Sequence, residues 1–403
     1  MKPSPSLTGG DPHPTRLQIV VLSASVFMAV TTELLPAGLL PWLSSDLGVE
    51  NDRAGLLVTA YAFVVATTAL PLTKATIRWP RRRLITAVLL GYAVSNVLMA
   101  IAGSLLVAGL ARLIGGLSHA ILFSIVTAYA ARIVRPERLG GTVAVLWLGT
   151  ALALLVGVPA GTALAAATGW RQPFVVLAVL AAGLAGCAAI VLAPIETRDA
   201  ERVSVRSVVR TPGVALVAVA TALVMLGNFM VYTYIGPLLQ SAGFAERQIG
   251  PALLVHGTAG VAGLWFSART ADHQPRLGLV IALSLLVCSL IVFGVVGDTK
   301  AAALVALVGW GGAYGGLATF FNAAALRASR AHDTATALVN MAFNVGIGGG
   351  ALLGALVLGA GGQPPVHGLL AAGLVGAGLV LVVRGKRNAF PADLRRQEEP
   401  GAG

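Results

Sequence analysis

Twelve long apolar stretches fill this chain of 403 residues, and almost all of its positive charge falls on every second connection between them. Crossing the hydrocarbon of a bilayer takes about 20 apolar residues per helix. Windows of that kind recur at 17–41, 54–73, 84–102, 105–130, 142–166, 173–195, 213–239, 249–268, 277–297, 301–326, 334–360 and 366–383. The expected fold is an all-α membrane protein with twelve transmembrane helices.

Charged residues make up 11% of the chain, against roughly 25% in a soluble domain, and 57% of positions are hydrophobic. The formal net charge of +12 would suggest nucleic acid as a partner in a soluble protein. Its placement argues otherwise. Of 28 Lys and Arg residues, all but Arg53, Arg171, Arg247, Lys300 and the intramembrane Arg112 fall on one predicted side. That is the positive-inside bias over short loops, and it puts both termini in the cytoplasm of a multi-pass inner (cytoplasmic) membrane protein. The bilayer, not nucleic acid, is the partner the charge implies.

The first stretch, from Leu17, is longer than a signal-peptide core and lacks a small-residue cleavage site near its end, so it reads as an uncleaved helix. Residues 1–16 form a proline-rich N-tail with little that could pack, expected to be disordered. Cys187 and Cys288 both fall inside spans and read as reduced packing residues.

The longest internal polar segment follows the sixth span and divides the helices six and six. The organisation read from it is an N-terminal bundle at 17–195, a cytoplasmic linker at 196–212, a C-terminal bundle at 213–384 and a C-tail at 385–403. Pro80-Arg81 after the second span recurs as Pro275-Arg276 after the eighth. Such 6 + 6 arrangements commonly hold two parallel repeats around a central substrate cavity. Glycine clusters at Gly311–Gly316 and Gly346–Gly354 supply the close backbone approach that helix packing in lipid relies on; a second reading is that these smooth faces slide during a transport cycle.

Of sixteen Asp and Glu residues, only Glu33 sits well inside a span. A charge near mid-bilayer costs several kcal/mol, so its presence usually marks function. Pro36 and Pro41 follow, and each removes a backbone donor, so the helix is expected to bend beside the acid. Two readings stand: a structural hydrogen bond between helices, or a proton or substrate site whose acid loads and releases a proton. Arg112 in the fourth span either snorkels to the surface or faces the cavity and pairs with Glu33 or polar groups. His119, seven residues on, shares its helix face and is either a packed side chain or part of a polar cavity.

Gly149, Gly157, Pro159 and Gly161 make the fifth span a flexible, closely packing run. In the second half, Asn228, Tyr232 and Tyr234 of the seventh span and Asn340 and Asn344 of the eleventh either bond helix to helix or line a cavity. A break is expected near Tyr232 and Pro237.

Taken together these residues resemble the major facilitator superfamily in its twelve-helix drug:proton antiporter branch, and within it the bacterial sugar-efflux and chloramphenicol-efflux transporters. The resemblance covers roughly residues 17–385. It rests on Thr31-Thr-Glu33-Leu-Leu-Pro36-Ala-Gly38-Leu-Leu-Pro41, Ala111-Arg112-Leu-Ile-Gly115-Gly116-Leu-Ser-His119, the run from Gly149 to Gly161, Gly169-Trp170-Arg171-Gln-Pro-Phe174, Tyr232-Thr-Tyr234-Ile-Gly236-Pro237 and Phe343-Asn344-Val-Gly346. It implies alternating access between two bundles, with Glu33 and Arg112 in proton coupling and the helix-5 Gly-Pro run in antiport. The usual Gly-x-x-x-Asp-Arg-x-Gly-Arg-Arg loop between helices 2 and 3 is altered: Arg78, Arg81 and Arg82 remain, but Thr73, Ile77 and Pro80 replace the Gly and Asp positions. The Asp-based charge latch loses its acid there, and Asp272 in the second half is left to retain part of it.

The function expected is proton-coupled export of small molecules, either drugs such as chloramphenicol-like compounds or sugars. The alternative is a proton symporter or facilitator importing a small polar solute on the same fold. An enzyme is not expected: there is no His-Glu-x-x-His, no Gly-x-Ser-x-Gly and no phosphate-cradling loop. No cofactor or metal is implied, and the working unit expected is a monomer.

Overall fold

A computed structural model describes residues 16–76, 78–134, 136–195, 212–271, 273–297, 299–328, 332–385 and 389–390. Nearly all of the expected linker and tails, and Asp272, lie outside them. The described residues are helical throughout apart from short turns. The first half comprises α1 (Arg16–Asp46), α2 (Asn51–Ala75), α3 (Arg81–Ala100), α4 (Leu105–Ile133), α5 (Pro136–Leu152), a π-helical turn (Ala153–Gly157), α6 (Val158–Thr168) and α7 (Gln172–Val191). The second half comprises α8 (Pro212–Tyr232), α9 (Ile235–Ser241), α10 (Glu246–Thr270), α11 (Pro275–Val296), α12 (Lys300–Tyr314), α13 (Leu317–Ala328), α14 (His332–Gly359) and α15 (Pro364–Arg384).

Eleven segments among the described residues are long and apolar enough to cross a membrane. The remaining expected span, 54–73, forms as the 25-residue helix α2. The outside of the bundle is covered with large apolar side chains such as Ile190, Leu106, Val179 and Val305, a surface suited to lipid rather than water. Cys187 and Cys288 are free and lie on this outer surface, not in the packed interior. A thiol is apolar enough to be stable there.

Three expected spans are interrupted. The seventh divides at Thr233–Tyr234 into α8 and α9, as the Tyr232–Pro237 region suggested. The tenth divides at Gly315–Gly316 into α12 and α13. The fifth contains the π turn, where Val158 N–H reaches back to the Ala153 carbonyl, two residues after which Pro159 offers no donor.

α1 and α8, the first helices of the two halves, are the most enclosed of the candidate spans, with 72% and 61% of their apolar windows buried. α1 packs on α5, α2, α7 and the π turn, while α8 packs on α14 and α15. The halves meet where α2 lies along α14 and where α10 lies along α6 and the π turn. The glycines set these distances. Gly346, Gly350 and Gly354 of α14 lie against the backbone of α8, while Gly348 faces Ala62 of α2.

Arg81, Arg132, Arg276, Arg327 and Arg384 mark one end of the bundle, hereafter the basic face. Contacts between halves gather toward the opposite face. Gly55 of α2 abuts the Tyr234 hydroxyl, Gly236 lies on Pro41, and Gly359 faces the Asp52 carboxylate.

Candidate functional site: a buried acid beside a helix proline

In a regular helix the Thr32 carbonyl would accept from residue 36, but that residue is Pro36, which has no N–H. The vacancy is filled from another helix. Arg112 of α4, fully buried, donates from Nη1 to Thr32 O at 2.7 Å and from Nη2 to Glu33 O at 2.8 Å. Its Nε donates to Leu57 O of α2 at 3.2 Å. The guanidinium plane lies 4.0 Å from the centre of the Tyr61 ring, which adds a cation–π contact. A planar fork of fixed donors suits this three-point capture of carbonyls. Arg112 is buried and does not snorkel, and its hydrogen bonds go to backbone carbonyls rather than to the Glu33 carboxylate.

The Glu33 side chain is buried. Its Oε2 stands 3.8 Å from His119 Nε2, and its Oε1 makes no hydrogen bond among the described residues. Tyr61 OH lies 3.0 Å from His119 Nδ1. With Tyr61 donating, the neutral ring carries its proton on Nε2, the nitrogen facing Glu33. Phe123 stacks flat on the imidazole, with ring centres 4.0 Å apart. Behind the acid, Asn96 of α3 donates to Thr32 Oγ1 at 3.2 Å. Gly115 is where Tyr61 and Ser95 come close, and a Cβ there would stand 2.9 Å from the Tyr61 ring. Four helices thus converge on one carboxylate.

The Gly-Pro run expected to matter in the fifth span packs on α1 around this proline. Gly149 sits on the Ser23 carbonyl and Phe27 N, Gly157 on the Thr31 hydroxyl and Gly161 on Leu35. From the other half, Gly250 of α10 lies on Pro159 O and Gly257 on the π-turn backbone at Leu154. The segment is a shared surface, with α1 on one side and α10 on the other.

The second half presents an aromatic cluster. Trp310 Nε1 donates to Asn228 Oδ1 at 2.7 Å. His256 lies with ring centres 5.3 Å from Trp310, 5.8 Å from Tyr232 and 6.4 Å from Tyr314. Gly257, next to His256 on α10, lies on the π-turn backbone of the first half, so this cluster adjoins the boundary between the halves.

The remaining expected residues are placed elsewhere. Tyr234 donates to Ala351 O of α14 at 2.9 Å, near the opposite face and away from the acid. Asn344 donates to Asn340 O within its own helix at 3.0 Å; Asn340 is exposed, and no contact joins either to the Glu33 group. Arg78 is exposed at the basic face, where Arg81 is buried. Tyr61, Asn96 and His256 were missed in the sequence. Each is a lone polar or aromatic residue in an apolar stretch, which reads as packing; the signal available was that His256, like His119, is a titratable group inside a span.

Residues 22–351 match the sequence family described as Major Facilitator Superfamily. A chloramphenicol efflux pump of Mycobacterium tuberculosis is 31% identical over 352 residues, covering 84% of this chain and 85% of that protein. A probable sugar efflux transporter of Mannheimia succiniciproducens is 30% identical over 345 residues, covering 85% and 87%. Among solved structures, the nucleoside transporter NupG superposes with a TM-score of 0.75 at 11% identity, covering 92% of this chain and 99% of that one. A bacterial homolog of the human lysosomal transporter Spinster superposes with a TM-score of 0.67 at 13% identity, covering 98% and 100%.

Proposed function

The chain belongs to the Major Facilitator Superfamily, and we propose that it is a proton-coupled exporter of small molecules, trading inward protons for outward cargo as two six-helix bundles rock. It is a multi-pass membrane transporter and not an enzyme. The observation that supports the coupling is Glu33: a buried carboxylate with one oxygen facing His119 and the other unbonded among the described residues, three residues before Pro36 on α1.

In this reading the basic face is cytoplasmic. Cargo enters from there while Glu33 is ionised, its charge balanced by Arg112 and by the Nε2–H of His119. Proton arrival from the opposite face neutralises Glu33, and the local field around Arg112 changes by one full charge. In a low-dielectric interior such a change is worth several kcal/mol, enough to bias a two-state equilibrium between faces. Arg112 touches α1, α2 and α4 at once, so a change at the acid reaches three helices without intermediates. The names of the chloramphenicol-efflux and sugar-efflux relatives support small neutral cargo. The protein works as a monomer in this scheme, with no cofactor.

The test is transport by inverted vesicles carrying Glu33→Gln. Loss of pH-gradient-driven uptake with retention of cargo-for-cargo exchange supports the reading. Full gradient-driven uptake by the variant removes Glu33 from coupling.

A further inference from the structure

His256 of α10 is buried, and its Nδ1 makes no hydrogen bond among the described residues. In the neutral tautomer that carries its proton on Nε2, Nδ1 is an acceptor with nothing to accept. A buried polar atom is unfavourable without a partner, and a cargo donor can supply one.

Its position is informative. α1 and α10 meet where Gly38 faces Leu253, a Cβ on Gly38 standing 3.2 Å from Leu253 Cδ1. From that contact Glu33 lies five residues back along α1, about 7.5 Å, and His256 three residues on along α10, about 4.5 Å, at ~1.5 Å per residue. The two helices run in opposite directions, so both steps lead toward the basic face. Glu33 Oε1 and His256 Nδ1 are therefore at similar depth, on opposite halves, and both lack a hydrogen-bond partner among the described residues. Tyr314 packs on His256 and is half-buried. Tyr232 supplies a further aromatic wall.

We propose that His256 is the second-half anchor of the cargo site, accepting a hydrogen bond from a hydroxyl or amide of a neutral cargo whose apolar face lies on Tyr314 and Tyr232. This rests on the transporter reading above and adds to it a cargo class. The molecule must carry at least two hydrogen-bond donors, one for each half, beside a flat apolar surface. A cargo that satisfies both orphan acceptors draws the halves together, whereas one lacking donors leaves both unpaired.

The test uses purified full-length protein in detergent, with chloramphenicol and its diacetylated derivative, which lacks both hydroxyl donors, as probes. His256→Phe keeps an aromatic ring and removes the acceptor; His256→Gln keeps a side-chain acceptor. Expected are wild-type binding of chloramphenicol well above that of the diacetate and a tenfold or greater weakening of chloramphenicol by His256→Phe. His256→Gln should recover part of this, and the diacetate should be little affected by either variant. Unchanged chloramphenicol binding by His256→Phe, equal weakening of both probes, or no wild-type binding of chloramphenicol overturns the proposal. Gel-filtration profiles and melting temperatures identify a folding defect, and in that case the Gln variant decides. Discrimination between chloramphenicol and its diacetate is read as binding without a gradient, so its loss in His256→Phe speaks to the cargo site alone, while a failure of gradient-driven uptake in Glu33→Gln speaks to the proton scheme alone.

Discussion

Arg112 and Thr32 are joined by a 2.7 Å hydrogen bond from a guanidinium on α4 to a backbone carbonyl on α1. That carbonyl is the one Pro36 deprives of its helical donor, so the proline on α1 and the charge on α4 are one construction. The acid proposed to carry the proton sits on the next residue. Any force that moves Arg112 reaches α1 at this proline, and a change in the charge on Glu33 is made beside the clamp.

Replacing Arg112 by Lys keeps a positive charge and loses the fork. One ammonium cannot reach the Thr32, Glu33 and Leu57 carbonyls together. Transport in vesicles should fall at least tenfold at equal expression. Pro36→Ala returns an N–H to Thr32, so in its presence the Lys substitution should cost less. A coupling on the order of 1 kcal/mol in a double-mutant cycle of thermal stability is expected, and strict additivity would show that the proline and the arginine are independent.

At the opposite face, the Tyr234 hydroxyl fills the space beside Gly55, where any Cβ would collide with it. Gly55→Ala should therefore disfavour the arrangement in which these ends touch. Cysteine probes placed near the α1–α2 connection should become more reactive from that face. Tyr234→Ala in the same chain should reverse the effect, since the colliding ring is gone. Equal labelling of Gly55→Ala and wild type would mean that the contact does not hold the gate.

In the fifth span, Gly149 lies on the Ser23 carbonyl and 2.9 Å, measured from an added Cβ, from Phe27 N. The obstacle is backbone and cannot rotate away. Gly149→Val should separate α5 from α1 and lower the melting temperature by several degrees, as overpacking costs typically 1–3 kcal/mol. Gly183 has open space around it, and Gly183→Ala should change the melting temperature little.

The Trp310–Asn228 bond is buried in the second half. Asn228→Leu leaves the indole N–H without a partner and should destabilise the protein by about 1 kcal/mol, the scale of buried hydrogen bonds in membranes. Adding Trp310→Phe removes the orphaned donor, and the double variant should recover part of the loss in a detergent melting curve.

The helical membrane fold was readable because hydropathy and loop charge act over twenty residues at a time. The interruptions were harder. Breaks at Thr233–Tyr234 and Gly315–Gly316, and the π turn before Pro159, depend on single residues and on what packs beside them. Glu33 and Arg112 stood out as lone charges in apolar stretches, but their relation did not. Arg112 hydrogen-bonds to carbonyls, which every residue has and which no sequence pattern displays. Tyr61 joined the site by supplying a hydroxyl to His119, although on its helix it reads as one more aromatic. His256 carried the same signal as His119 and differed only in lying outside the recognised motifs.

Exchange of protons for cargo at Glu33 is tested most directly by proton release on cargo binding, read with a pH indicator in weakly buffered detergent solution. Chloramphenicol added to wild-type protein should release protons over a pH range where Glu33 is partly protonated, and Glu33→Gln should bind it with no release. Equal release from both proteins, or none from a wild type that binds, would contradict the exchange.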